Sequence, residues 1–357
     1  MRVVLTGGGT GGHVYPALAI AEAIREIDHD VDVHFLGTPT GFESKAVPRA
    51  GETLHQISSG GIVGKGMAAK LRGAAKAGLG VVQSLSILRS LKPDVIVGTG
   101  GFVMAPVLVA ARILRIPFYI QEQNSFPGLT TRKFAKNART VFTAYSEAGQ
   151  FLPGANVELT GNPLRKSIVD CAEESVSADS SEAQLLITGG SLGAQSINNA
   201  VSGALMELCE LAQVTWQFGR SGIPSSTPNE LVNELTNSGK LISASFFEDM
   251  PQRYAKANLI VCRSGAMTLS EVALFGLPAV LVPYPHAAHN HQATNAAAYV
   301  RSGAATAIED RVLTPTTLLE ACATIVGSKA KQTEMRSAMR THSKPDAAFR
   351  IVRAILK

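Results

Sequence analysis

The chain is short of several things, and each shortage excludes something. Only 17% of its 357 residues are charged, against 45% hydrophobic, so it lacks the charge excess of a disordered chain. Four cysteines (Cys171, Cys209, Cys262, Cys322) have no Cys-x-x-Cys spacing. That argues against a disulfide scaffold or zinc ribbon and fits a reducing compartment. No long apolar run is uninterrupted: residues 101–120 are broken by Arg112, Arg115 and two prolines, as a buried strand–helix–strand unit would be. Met1-Arg2 leads directly into an apolar strand, so no signal peptide is expected. Acidic residues are missing from the whole interval between Glu52 and Asp94, which holds six bases: Lys65, Lys70, Arg72, Lys76, Arg89 and Lys92.

That gap carries the charge asymmetry. Residues 1–160 have 16 Lys and Arg against 11 Asp and Glu, whereas residues 161–357 have 17 of each. The basic window suits an anionic partner, a nucleic acid or a lipid surface; a solvated face with chance asymmetry explains it equally well.

Short apolar runs alternate with helical periodicity along the chain. Strands are predicted at Val3–Leu5, Val31–Leu36, Val95–Val97, Phe118–Ile120 and Val141–Phe142, then at Leu185–Ile187, Leu259–Val261 and Ala279–Val282. Helices carry apolar residues three and four apart, as in Ala17, Ile20, Ile24, Ile27 and in Ile197, Val201, Leu205, Leu208. The fold class expected is α/β, with parallel sheets covered on both faces. At 357 residues, two domains are expected rather than one. An internal echo supports this: Thr6-Gly7-Gly8 and Gly11 recur as Thr188-Gly189-Gly190 and Gly193, each after a strand and before a helix. The boundary is expected near Thr160-Gly161-Asn162-Pro163, and residues 172–183 should form a surface loop.

Glycines after a strand admit a ligand close to the backbone, and the following helix aims free N–H groups at it. Gly7, Gly9 and Gly12 fit a dinucleotide fingerprint, but the second strand ends in Phe35-Leu36-Gly37-Thr38, with no acid for a ribose before Glu43. A dehydrogenase is therefore disfavoured. His13 follows Gly12 at the mouth of the first helix, where a side chain faces the crevice beyond the strand ends. A helix N-terminus disfavours the imidazolium, which keeps a neutral base available. In the second half, Arg263-Ser264-Gly265-Ala266-Met267-Thr268-Leu269-Ser270-Glu271 follows a strand and opens a helix. Its small first residues suit a diphosphate, and Glu271, one turn further on, suits a pair of ribose hydroxyls. His286, His289 and His291 share a loop without carboxylate or cysteine, so amide and imidazole groups reading hydroxyls are favoured over a metal.

These motifs together resemble the MurG family. Gly7-Gly8-Gly9-Thr10-Gly11-Gly12-His13, Gly98-Thr99-Gly100-Gly101-Phe102, Gln121-Glu122-Gln123-Asn124, Gly161-Asn162-Pro163-Leu164-Arg165, Gly189 to Ala194, Arg263 to Glu271 and Pro283 to Gln292 occur in that family's order across almost the whole chain. The resemblance implies two Rossmann-like domains whose parallel sheets face across a cleft, the GT-B architecture. The first would span residues 1–162, joined by a C-terminal helix near 343–357, and the second 163–342. It implies an inverting transferase moving N-acetylglucosamine from its UDP donor to the 4-hydroxyl of undecaprenyl-pyrophosphoryl-N-acetylmuramoyl-pentapeptide, with no cofactor and no metal. Carried over by motif, Glu271 would hold the ribose, with Arg263 and the backbone near Phe247 beside the uracil. Ser191, Arg165 and the helix start Ala266, Met267 and Thr268, continuing through Leu269 and Ser270, would face the diphosphate. Gln292 and Asn124 would read the sugar. Thr10, Gly11 and Gly12 would line the acceptor side, with His13 or Glu122 as base. Leu192, Phe102 and Gln121 stand where relatives often have glutamine, tyrosine and histidine.

The lipid acceptor implies a peripheral position on the cytoplasmic face of the inner membrane, with an anionic membrane surface and no nucleic acid as partner. Lys65, Met67, Lys70, Leu71, Arg72, Lys76 and Leu79 are the residues expected to dock there. A UDP-N-acetylglucosamine 2-epimerase, a processive diacylglycerol glycosyltransferase and a non-catalytic sugar-nucleotide module are the rival readings.

Overall fold

The structure, a computed structural model, describes residues 1–61, 67–175 and 183–357. The chain forms two compact units: Met1–Lys166 with Lys344–Lys357, and Ser167–Ser343.

The first unit is built on a seven-stranded parallel sheet: β1 (Arg2–Gly7), β2 (Asp32–Gly37), β3 (Thr53–Gln56), β4 (Val95–Gly100), β5 (Phe118–Glu122), β6 (Val141–Thr143) and β7 (Val157–Leu159). Their order is β3-β2-β1-β4-β5-β6-β7. The central strands read Val-Val-Leu and Val-Ile-Val because both faces are covered, which leaves no alternation with polar residues. One face packs Val3, Leu5, Val33 and Val97 against the helix Gly11–Ile27 and the C-terminal helix Ala347–Ile355. The other packs Val4, Ile96, Leu108 and Ile120 with Leu88 of the long helix Met67–Leu91. The order reverses between β1 and β4, so the crevice beyond their carboxyl ends falls between Gly7–Gly12 and Thr99–Gly101.

The second unit repeats the plan with six parallel strands: β8 (Gln184–Thr188), β9 (Gln213–Gln217), β10 (Leu241–Ala244), β11 (Leu259–Cys262), β12 (Ala279–Leu281) and β13 (Ala305–Ala307), ordered β10-β9-β8-β11-β12-β13. Its reversal lies between β8 and β11, so Gly189–Ala194 and Arg263–Gly265 occupy the equivalent crevice. The single helix expected through Ile197 and Leu208 is two, Gln195–Gly203 and Leu205–Leu211. Gly203, a weak helix former, ends the first while all four apolar residues stay buried. Of the surface loop expected at 172–183, residues 172–174 belong instead to the helix Lys166–Glu174, and 176–182 lie outside the described residues.

Among the described residues no helix is long and apolar enough to cross a membrane. Along Met67–Leu91, Gly73, Gly80, Ser84 and Leu88 face inward, while Arg72, Lys76, Leu79, Val82 and Arg89 are exposed. Leu79 is 52% and Val82 63% exposed, so neither is a core residue. Lys65 lies outside the described residues, as do the side chains of Met67, Lys70 and Leu71.

Candidate functional site

In the first unit the site begins where β1 runs out. Thr10 is extended (φ −140°, ψ 160°), and its carbonyl accepts the N–H groups of His13 and Val14, both at 3.2 Å. Gly11 and Gly12 therefore head a helix whose first N–H groups have no intrahelical acceptor, the usual seat of an anion.

Beneath this loop lies a residue whose part was not foreseen. Glu43 is buried, and its Oε2 accepts the Gly9 N–H at 2.8 Å, while its Oε1 accepts Thr38 N–H (3.0 Å) and the Thr38 hydroxyl (2.5 Å). A Cβ on Gly8 would stand 2.6 Å from the Glu43 carboxyl carbon, so glycine is what lets the carboxylate reach the loop. In the sequence Glu43 registered only as an acid too late to hold a ribose; it holds the loop instead. Glu43→Ala strands three donors and is expected to lower unfolding stability by about 2 kcal/mol. A denaturation midpoint equal to that of the parent would remove Glu43 from this role.

His13 is half-buried, and its Nδ1 stands 2.9 Å from Gln123 Oε1 and 3.2 Å from the Thr99 carbonyl oxygen. The ring sits against β4 because Gly100 (φ +104°) has no side chain: a Cβ there would lie 2.6 Å from Nδ1. Glu122 is buried two residues before Asn124. Its Oε1 accepts Asn124 N–H (3.1 Å) and Nδ2–H (3.3 Å), and its Oε2 accepts Gly128 N–H (3.0 Å). Both oxygens thus close the turn after β5. Arg165 lies in the first unit, with its guanidinium 4.5 Å above the Tyr15 ring.

In the second unit, Ser191 and Leu192 are exposed at the turn after β8. Gln217, at the end of β9, ties that turn to the loop after β10. Its Nε2 donates to Thr188 Oγ1 (3.1 Å), and its Oε1 accepts Phe247 N–H (2.9 Å). Phe247 is buried beneath the Arg253 guanidinium, 4.5 Å from the ring centre. The helix Ala266–Phe275 starts at extended Gly265, and the N–H groups of Ala266, Met267 and Thr268 form its first turn. Leu269 departs from the expectation: its side chain is in the core, and its N–H bonds to Gly265 O at 2.9 Å. Ser270 Oγ donates to Ala266 O at 3.0 Å. Glu271, half-buried on the next turn, accepts the Tyr254 hydroxyl on Oε2 at 3.0 Å.

Arg263 also departs. Its Nη1 donates to Asp310 Oδ1 and to the carbonyls of Val282 (3.1 Å) and Pro283 (3.3 Å), and its Nη2 to Ser196 Oγ (2.9 Å). The guanidinium braces the strand ends, so contact with a base is left to its aliphatic stem. Gln292 accepts Tyr284 N–H on Oε1 at 3.0 Å, which closes the histidine loop and leaves its amide N–H groups as donors. The chain's two Asp-x-Asp triplets, Asp28-His29-Asp30 and Asp30-Val31-Asp32, lie at the amino end of β2, away from the switch-point crevice. Asp32 there is paired with Arg2 at 2.7 Å.

Comparison with known proteins places this geometry. Residues 3–143 match the glycosyltransferase family 28 N-terminal domain and residues 184–351 the glycosyltransferase family 28 C-terminal domain. The chain is 38% identical to the UDP-N-acetylglucosamine--N-acetylmuramyl-(pentapeptide) pyrophosphoryl-undecaprenol N-acetylglucosamine transferase of Symbiobacterium thermophilum, covering 100% of this chain and 96% of that protein. It is 37% identical to the enzyme of the same name from Lactococcus lactis, with 98% of both covered. The crystal structure of Acinetobacter baumannii MurG superposes with a TM-score of 0.78 at 31% identity, over 99% of each chain. A putative UDP-N-acetylglucosamine 2-epimerase from Listeria monocytogenes shares the fold alone, with a TM-score of 0.68 at 14% identity.

Proposed function

The chain belongs to glycosyltransferase family 28 and, within it, to the MurG family, and from that premise we propose how its residues carry out the transfer of N-acetylglucosamine from UDP-N-acetylglucosamine to undecaprenyl-pyrophosphoryl-N-acetylmuramoyl-pentapeptide. The observation that carries the assignment is full-length similarity to enzymes of that name, together with a helix-headed glycine turn at the switch point of each sheet.

The donor is held mainly by the second unit. Glu271 accepts the ribose hydroxyls, and the N–H groups at Ala266–Thr268 receive the diphosphate, whose developing charge the helix end stabilises as the bond breaks. Ser191 and Arg165 add donors to the diphosphate, while Asn124 and the Gln292 amide read the sugar. Thr10, Gly11 and Gly12 receive the acceptor. His13 takes the proton from the acceptor's 4-hydroxyl, that oxygen bonds to the anomeric carbon, and the carbon–oxygen bond to UDP breaks with its electron pair leaving on the diphosphate. Attack from the opposite face inverts the anomeric centre. His13 is preferred to Glu122 because both Glu122 oxygens already accept backbone N–H groups, whereas His13 Nε2 has no partner among the described residues. In the test, the protein is incubated with UDP-N-acetylglucosamine with and without the lipid acceptor. Donor consumption that requires acceptor is expected; epimerised sugar released without acceptor would overturn the assignment.

The acceptor's polyprenyl tail is confined to a bilayer, so the enzyme works there as a peripheral protein, at the cytoplasmic face of the inner membrane. The docking face is the exposed stripe of the helix Met67–Leu91. Leu79 and Val82 enter the lipid while Arg72, Lys76 and Arg89 meet anionic headgroups. Each base contributes about 1 kcal/mol near such a surface, so Arg72→Glu/Lys76→Glu should weaken sedimentation with anionic vesicles at least ~30-fold at low salt. Binding of the soluble donor should not change. Vesicle binding equal to the parent's would move the docking face elsewhere.

A further inference from the structure

We propose that Gln123 is a positioning residue which, through a ring of buried amides, fixes His13 as the tautomer protonated on Nδ1 and so leaves the lone pair on Nε2. The proposal rests on the reading of His13 as the base, but its premise is a hydrogen-bond pattern that stands independently of catalysis.

Both neighbours of Nδ1 are oxygens: Gln123 Oε1 at 2.9 Å and the Thr99 carbonyl at 3.2 Å. A ring nitrogen facing two acceptors must carry the hydrogen. The orientation of the Gln123 amide is decided by its other end. Its Nε2 donates to the Thr99 carbonyl at 2.7 Å, to the Gln121 carbonyl at 3.3 Å and to Gln121 Oε1. Turned over, that amide would set its oxygen against three acceptors, so Oε1 is held toward the imidazole. Thr99 O alone would serve His13 poorly, since it is the more distant acceptor and is shared with Gln123.

The pattern then closes on itself. Gln121 Nε2 donates to Asn162 Oδ1 at 3.0 Å, and Asn162 Nδ2 donates to the backbone carbonyl of Gln123 at 3.3 Å. Gln121, Gln123 and Asn162 are each at most 2% exposed, where an unmet amide group is costly and a satisfied network has one direction. The ring joins β5 to the Gly161-Asn162 turn after β7, and its direction is set by the backbone carbonyls of Thr99 and Gln121 at the Gln123 end and of Gln123 at the Asn162 end. Every member is neutral. The imidazole is oriented without a carboxylate behind it, unlike a Ser-His-Asp arrangement.

The test uses two full-length variants and a readout other than turnover. Gln123→Met keeps the volume and removes the acceptor; Gln123→Glu, as the neutral acid whose hydroxyl donates to the Thr99 carbonyl, restores an oxygen toward Nδ1. With ring nitrogens ¹⁵N-labelled and the His13 signals identified by loss in His13→Asn, wild type should show the proton on Nδ1 in long-range nitrogen–proton correlations. Gln123→Met should show a mixture, with kcat reduced about 10–100-fold, as for other partners that orient an imidazole. KM for UDP-N-acetylglucosamine should be unchanged. Gln123→Glu should return the Nδ1–H form. A Gln123→Met protein that keeps both the tautomer and kcat within twofold overturns the proposal. If Gln123→Met shifts the tautomer while His13→Asn stays active, the positioning stands and the base assignment fails.

Discussion

His13→Ala is expected to reduce kcat by about 10²–10⁴-fold, the usual contribution of a positioned general base. UDP binding should be unaffected, because the ribose and helix-start contacts assigned above lie on Ser167–Ser343 and no donor contact is assigned to the His13 side chain, which heads a helix of the other unit. The fold should also survive. His13 is half-buried, and the tie between its backbone carbonyl and the Thr99 hydroxyl (2.7 Å) does not involve its side chain. Steady-state kinetics with a soluble acceptor analogue, together with UDP titration by calorimetry, would check this. Turnover within a few-fold of wild type would move the base elsewhere, and Glu122→Gln would be the next variant to make. Because Glu122 closes the 122–128 turn through Asn124 and Gly128, that variant needs a thermal melt beside its kinetics to separate chemistry from local folding.

Glu271→Ala should act on the other half of the reaction. Losing a charged hydrogen-bonding group at the ribose is worth about 1.5–3 kcal/mol, or roughly 10–150-fold in donor KM. The lipid KM should stay near that of wild type. Tyr254→Phe separates orientation from contact: it removes the hydroxyl that bonds Glu271 Oε2 but keeps the buried ring against Phe275. It should raise donor KM by a smaller factor in the same direction. An unchanged donor KM in Glu271→Ala would remove the ribose assignment.

The eight strands expected from the sequence all exist; in seven the expected run is buried and apolar throughout, and only in β2 do Asp32 and His34 break it. Five others were not legible. β3, β7, β10 and β13 are short and only partly buried. Central β9 was hidden by Gln213 and Gln217, yet Gln217 is buried because its amide ties two loops together. The same blindness affected the site. Glycines and first-turn residues announce themselves, because backbone approach demands a particular residue type. Glu43, Gln123 and Tyr254 act through partners 34, 110 and 17 residues away, and no spacing rule records that. Arg263 shows the converse: its motif marked it as a ligand contact, while its guanidinium is taken up by Asp310 and Ser196.

The C-terminal helix sets an order of assembly. Ala348, Ile351, Val352 and Ile355 complete the core of a unit whose strands all precede Lys166, and Ala354 O accepts the Tyr119 hydroxyl across 235 positions. A ribosome must therefore make all of Ser167–Ser343 before the first unit can close. At 5–20 residues per second that is a wait of roughly 10–35 s. During it the side of the helix Gly11–Ile27 that packs on Ala347–Ile355 has no cover from its own chain, while the later-made unit is free to fold at once. The half of the protein begun first is the half finished last.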